Sequence, residues 1–149
     1  MSIPIQLLTV TSRNKELRNH LSSLPVPSQH LVKVLGFTNE IHDLMAIADL
    51  VVSKPGGLTT SETLASGSVM VIVNPIPGQE SRNSDYLLES GAAIKVNNAA
   101  TLASKVSKLL ADRSRLEQLR ANVRRIARPR AAFDIVERSL ALLSVSADF

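Results

Sequence analysis

The chain has no cysteine and no tryptophan, a single tyrosine, and aromatic residues make up only 3% of its 149 residues. Without cysteine there are no disulfides, no thiolate metal sites and no cysteine nucleophile, a usage that fits a reducing cytoplasm. With so few rings, recognition of single-stranded nucleic acid by base stacking is not expected. No apolar run approaches the ~20 residues that cross a bilayer. The N-terminus lacks the basic start, apolar stretch and small-residue cleavage site of a signal peptide. The expected location is therefore cytoplasmic, at most peripheral to a membrane. His20, His30 and His42 are scattered, with no metal-ligand spacing, so no metal is expected. No serine sits in a GxSxG elbow.

What is present is a soluble, globular composition, with 44% apolar and 20% charged residues. The length suits one domain, and Val, Leu, Ile and Ala must fill its core. The net charge of +4 is unevenly spread. Residues 108–130 hold Lys108 and seven arginines against Asp112 and Glu117, so this stretch carries +6 and the remainder −2. Such a run is either a solvated helix face or a surface for phosphates or an anionic membrane.

Apolar runs and periodic segments alternate along the chain. Strands are predicted at 3–10, 31–35, 50–52, 69–73 and 93–96, with helices at 14–21, 39–48, 60–66 and 81–89 between them. Three helices close the chain at 102–111, 115–127 and 130–143, the first starting at Thr101 and the second at Ser114 with Glu117 as a capping box. Short Val- and Ile-rich strands separated by helices define an α/β class with a parallel sheet covered on both faces. Ligands bind such sheets at the carboxyl ends of the strands, so the loops at 11–14, 36–39, 53–59 and 74–83 are the places to look.

The richest segment runs from Asp49 to Glu62, where a strand leads into Lys54-Pro55-Gly56-Gly57-Leu58-Thr59 and then a helix. Two glycines let backbone approach a bulky anion, free N–H groups at the helix start hold it, and Lys54 adds charge. The order is neither GxxxxGK[ST] nor GxGxxG, and an ordinary tight strand-to-helix turn accounts for the same residues. Glu62 has two readings as well: a capping box with Thr59, or a carboxylate that accepts both hydroxyls of a ribose. In the second segment, Asn74–Asn83, Gln79, Glu80 and Asn83 offer groups suited to sugar hydroxyls, or simply a polar loop and helix start.

Together the blocks Gly36-Phe37-Thr38-Asn39, Lys54-Pro55-Gly56-Gly57-Leu58-Thr59 and Pro75-Ile76-Pro77-Gly78-Gln79-Glu80 resemble, in that order, the C-terminal half of the monogalactosyldiacylglycerol synthase and processive diacylglycerol glucosyltransferase family. These are relatives of the MurG-type glycosyltransferases. The resemblance runs over about residues 8–137. It implies a Rossmann-like doubly wound parallel sheet, the C-terminal domain of a glycosyltransferase B fold, lacking its first strand and helix. It further implies that Gly36 and Phe37 line a base pocket and that Pro55, Gly56, Gly57, Leu58 and Thr59 hold a diphosphate. Glu62 would bind ribose, and Gln79, Glu80 and Asn83 would address the transferred sugar. The implied donor is UDP-galactose or UDP-glucose, the acceptor a lipid such as diacylglycerol, and the chemistry needs no metal or other cofactor.

The chain departs from the family pattern at Thr11-Ser12-Arg13-Asn14, where Cys-Gly-Arg-Asn is usual, and at Ser68-Val69-Met70, where Leu-Pro-Met is usual. The acceptor domain and its acceptor-activating base are not among these residues. Two consequences are expected for the sheet. Either residues 3–10 pair directly with 50–52, or a partner chain or second copy fills the place of the first strand. Two other readings of the chain remain: a non-catalytic interaction domain of this fold that has lost its ligand, and a basic membrane-surface module.

Overall fold

The computed structural model describes residues 3–145. Five strands alternate with helices in the order β1 (Gln6–Val10), α1 (Lys15–Ser23), β2 (Leu31–Leu35), α2 (Ile41–Ala46), β3 (Leu50–Ser53), α3 (Gly57–Ser66), β4 (Val69–Val73), α4 (Ser81–Glu89) and β5 (Ala93–Val96). Three helices follow: α5 (Ala99–Ala111), α6 (Arg113–Ile126) and α7 (Ala131–Val145). The predicted order stands, and the strand-separated-by-helix pattern gives parallel pairing throughout.

The sheet is interrupted. β1 pairs with β2, and β3, β4 and β5 form a separate sheet in that order. Of the two arrangements expected for the sheet, direct pairing of residues 3–10 with 50–52 is not made: β1 runs from Gln6↔Leu31 to Val10↔Leu35 and has no other ladder among the described residues. β4 is central, flanked on both sides, and Val69, Met70, Val71 and Ile72 are 0–2% exposed. Its neighbours Leu87 of α4, Leu109 of α5, and Leu116, Leu119 and Val123 of α6 complete the core. Aliphatic side chains do fill that core, as the scarcity of aromatics requires.

Helix starts correct the sequence reading in three places. α3 begins at Gly57, with Gly56 as N-cap, rather than near Thr60. α5 begins after Asn98, whose side chain accepts from Ala100 N, rather than at Thr101. α6 begins after Asp112, whose carboxylate accepts from Arg115 N, rather than at Ser114. Glu117 makes no capping box and instead pairs with Arg120 at 3.0 Å. Gly91 closes α4 at φ +62, where a Cβ would stand 2.9 Å from Asn122 Nδ2, and Asn122 donates to the Gly91 carbonyl. Glycine is needed there both for the left-handed backbone and for the close approach.

Candidate functional site

The loops after β1, β2, β3 and β4 all leave the carboxyl ends of parallel strands, so they gather on one side of the molecule. Two of them turn through left-handed backbone at residues other than glycine, Ser12 at φ +52 and Asn74 at φ +42. Asparagine tolerates that region better than most residues do.

The loop after β3 leads from exposed Lys54 and buried Pro55 into α3. No side chain caps α3 and no acidic residue lies in its first turn. Its first N–H groups, those of Gly57, Leu58 and Thr59, therefore have no partner from within the helix and face outward with the positive end of its dipole. A Cβ on Gly57 would meet nothing within 4 Å, and one on Gly56 would meet only Glu80 Oε1 at 3.7 Å. Neither glycine has a positive φ. Leu58 is exposed although apolar, and Thr59 is half-buried.

The capping box expected from Thr59 and Glu62 is absent, because Thr59 lies inside the helix rather than at its start. Glu62 is exposed one turn further on, and neither it nor Lys54 is engaged by another described side chain. Thr60 of α3 and Ser84 of α4 occupy equivalent positions in the first turns of their helices. The hydroxyl of each is buried without a hydrogen-bond partner.

The loop after β4 is braced against the loop after β3. Asn83 Nδ2 donates to the Pro55 carbonyl at 2.9 Å. Glu80 is buried and its Oε2 accepts the Ile76 N–H at 2.7 Å, which fixes the Pro75–Gln79 turn. Glu80 thus spends one carboxylate oxygen on the protein itself and turns the other toward Gly56. Gln79 stands exposed at the turn.

The loop after β2 brings Gly36 and Phe37, and Phe37 is 60% exposed. The Arg13 guanidinium lies over the Phe37 ring, 5.5 Å from its centroid. Thr11 ties the two loops, donating through both its N–H and its hydroxyl to the Leu35 carbonyl. Sequence reasoning gave Arg13 no role. Its one signal was that Arg13-Asn14 survives where the flanking pattern is altered, and the stacking joins two different loops. Asn14 itself caps α1 through Leu17 N.

Four of the eight basic residues at 108–130, Arg120, Arg125, Arg128 and Arg130, are engaged within the described residues. Arg120 pairs with Glu117 and with Asp49, which opens β3. Burial alone would lower the Arg120 pKa. The hydrogen bonds and charges of Glu117 and Asp49 outweigh it and push it up. Arg125 and Arg128 donate to backbone carbonyls, and Arg130 stands 3.9 Å from both Asp134 and Glu137. Lys95, Lys105, Lys108 and Arg115 with Asp112 line an open hollow of about 400 Å³ beside β5. A second hollow, of about 420 Å³, lies by Asp49 and Arg120 at the opposite end of β3 from the glycine loop. No helix of the described residues is long and apolar enough to cross a membrane.

The parallel α/β fold, part of a domain, matches the C-terminal domains of B-fold glycosyltransferases such as MurG. Acinetobacter baumannii MurG superposes with a TM-score of 0.77 at 21% identity, over 92% of this chain and 41% of that one. Glycosyltransferase VinC in complex with DTDP superposes at 0.62 and 15% identity, over 91% of this chain and 41% of its own. The sequence pattern of the family described as "Glycosyl transferases group 1" matches residues 11–126, and the chain belongs to that family. The processive diacylglycerol beta-glucosyltransferase of Bacillus subtilis (strain 168) is 35% identical over 120 residues, 80% of this chain and 31% of the relative. The enzyme of the same name from Bacillus cereus (strain AH187) is 33% identical over 142 residues, 95% of this chain and 37% of the relative. The chain thus spans about a third of the length of these curated relatives.

Proposed function

We propose that this chain is the donor-binding part of a glycosyltransferase that moves a hexose from UDP-glucose or UDP-galactose to a lipid acceptor such as diacylglycerol. The observation that carries the reading is Gly57. Its backbone conformation does not need glycine, and no protein atom lies where a Cβ would be. What remains is close approach by something outside the chain, at the uncapped N-terminus of α3. A nucleoside diphosphate suits that place, and the neighbour with DTDP bound supports the same ligand class on this fold.

In this reading the N–H groups of Gly57, Leu58 and Thr59 hold the diphosphate, with Lys54 beside it. Glu62, free of any cap, accepts the ribose hydroxyls. Gly36 and Phe37, with Arg13 stacked on the ring, line the base. Gln79 and the Oδ1 of Asn83 face the hexose, while Glu80 holds the loop in shape. As the bond from the anomeric carbon to the diphosphate breaks, negative charge grows on the leaving phosphate. The amides and dipole of α3 stabilise it without a metal. The acceptor-activating base belongs to a domain outside these residues, so the chain unaided binds donor and transfers nothing. Work on a lipid acceptor puts the whole enzyme at the cytoplasmic membrane surface.

Thermal unfolding with UDP, UDP-glucose and UDP-galactose tests this. A ligand of the native state at a hundred times its Kd adds about 2.7 kcal/mol, so the midpoint should rise with UDP and not with equimolar phosphate. An unchanged midpoint at millimolar UDP would mean a domain of this fold that has lost its ligand.

A further inference from the structure

The two hollows away from the glycine loop are nearly equal in volume and opposite in charge. The one by Asp49 sets Asp49 and Glu117 against Arg113 and Arg120, and Arg120 is ion-paired with both carboxylates. The one beside β5, of about 400 Å³, gathers Lys95, Lys105, Lys108 and Arg115 around a single carboxylate, that of Asp112. This carboxylate is already engaged, because its Oδ1 accepts the Arg115 N–H as the cap of α6. Among the described residues, the side chains of Lys95, Lys108 and Arg115 have no ion-pair partner.

The fold accounts for two of these cations. Lys105 Nζ donates to the Lys95 carbonyl at 2.9 Å, beside the edge strand of its sheet, and a lysine there keeps other chains from pairing. Lys108 lies in the last turn of α5, where the negative end of the helix dipole favours a cation. The fold gives no such reason for Arg115. It stands in the first turn of α6, which holds no acidic residue, and the positive end of that dipole disfavours it. Lys95 adds a further charge to the same wall, although like charges so gathered repel one another. Cations held together against the local electrostatics are suited to an anion that comes from outside the chain.

Between these charges the hollow is apolar, with buried Leu109 and half-buried Leu88 and Ile94. α5 leaves the carboxyl end of β5 and runs back along it, so Lys108, Leu109 and Asp112 stand toward the amino end of that strand. The hollow is therefore on the opposite side of the sheet's ends from the glycine loop and shares no residue with it.

We propose that this hollow binds a phosphate group carried on an apolar body. The guanidinium of Arg115 and the ammonium groups of Lys95 and Lys108 meet the phosphate oxygens. Leu88, Ile94 and Leu109 take an apolar body rather than a sugar. Such a phosphate comes on a soluble ester or on a lipid headgroup. The site does not depend on the donor reading above.

The test puts the labelled full chain, at physiological ionic strength, against two probes. One is phenyl phosphate, followed by amide shifts. The other is phosphatidylcholine vesicles with and without phosphatidic acid, followed by flotation. Saturable shifts at Lys95, Lys108 and Arg115 support the site and name a soluble ester. Flotation that requires phosphatidic acid supports it and names a headgroup. In whichever arm binds, Lys108→Glu with Arg115→Glu should weaken binding by roughly tenfold or more, since bonds to a charged group are lost. Arg124→Glu with Arg138→Glu makes the same change of charge outside the hollow and should bind as wild type does. Unmoved amide positions along β4 report that both variants are folded. Binding in neither arm, phenyl phosphate shifts confined to Gly57, Leu58 and Thr59, undiminished binding by the first variant, or an equal loss in the second would each overturn the proposal.

Discussion

Helix N-termini in this domain are of two kinds. α5, which leaves the carboxyl end of β5, and α6, which starts at the far end of α5, are each closed by a side chain, Asn98 and Asp112. α3 opens on the side where the strand-end loops gather and is closed by nothing: Gly56 sits at its N-cap and Gly57 begins it. A bare start costs stability, since a capping side chain is worth about 1 kcal/mol. α1, which also opens among the strand-end loops, is capped by Asn14, and α2 and α4 have no side-chain cap, so what sets the α3 start apart is its glycine pair.

The sharpest way to break this contrast is Gly57→Asp. An acidic residue in the first turn should raise thermal stability by about 0.3–1 kcal/mol. The same charge beside a diphosphate should weaken UDP by about a hundredfold, since opposed like charges cost several kcal/mol. Calorimetric titration and melting on one sample read both, and Ala100→Asp in the first turn of α5 should leave UDP affinity unchanged. Next in size is Glu62→Ala. Losing hydrogen bonds to a charged group costs about 1.5–3 kcal/mol, so UDP should bind more than tenfold more weakly while the melting midpoint holds. A lower midpoint with intact binding would restore a capping role.

Asp112→Ala should do the reverse of both. It removes a cap worth about 1 kcal/mol, lowering the midpoint by about 2–4 °C for a domain of this size, with UDP binding untouched. The smallest effect belongs to Asp49→Asn. Its partner Arg120 is one-quarter exposed and Asp49 itself two-thirds exposed, so chemical denaturation should register about 0.2–1 kcal/mol. The raised pKa of Arg120 means its share is present below the ordinary arginine value and lost only above it. The difference between wild type and variant owed to Arg120 should therefore not drift around neutral pH.

The element order was legible because valine- and isoleucine-rich runs are short here and glycine or proline punctuates them. Helix starts were less so. Asp112 ends α5 and caps α6 at once, a one-residue junction that looks in sequence like two helices with separate caps, so Ser114 was the natural choice for α6. The loops bearing the site were readable from the glycine pair and the proline-rich turn. The bonds that shape them were not: Asn83 to Pro55, Glu80 to Ile76 and Arg13 over Phe37 all depend on how the chain folds back. Glu80 shows the consequence, since one oxygen of the carboxylate that reads as a sugar ligand also braces its own turn. The break in the sheet was foreseen as a missing strand. That β1 would stay with β2 rather than close on β3 is a matter of long-range pairing, which local pattern does not encode.

The most direct measurement is an amide chemical-shift titration of the labelled chain with UDP. Binding at the open helix end predicts saturable shifts at Gly57, Leu58 and Thr59, with the first-turn amides of α5 and α6 unmoved. No shift at those three amides at millimolar UDP, or equal shifts at all three helix starts, would contradict it.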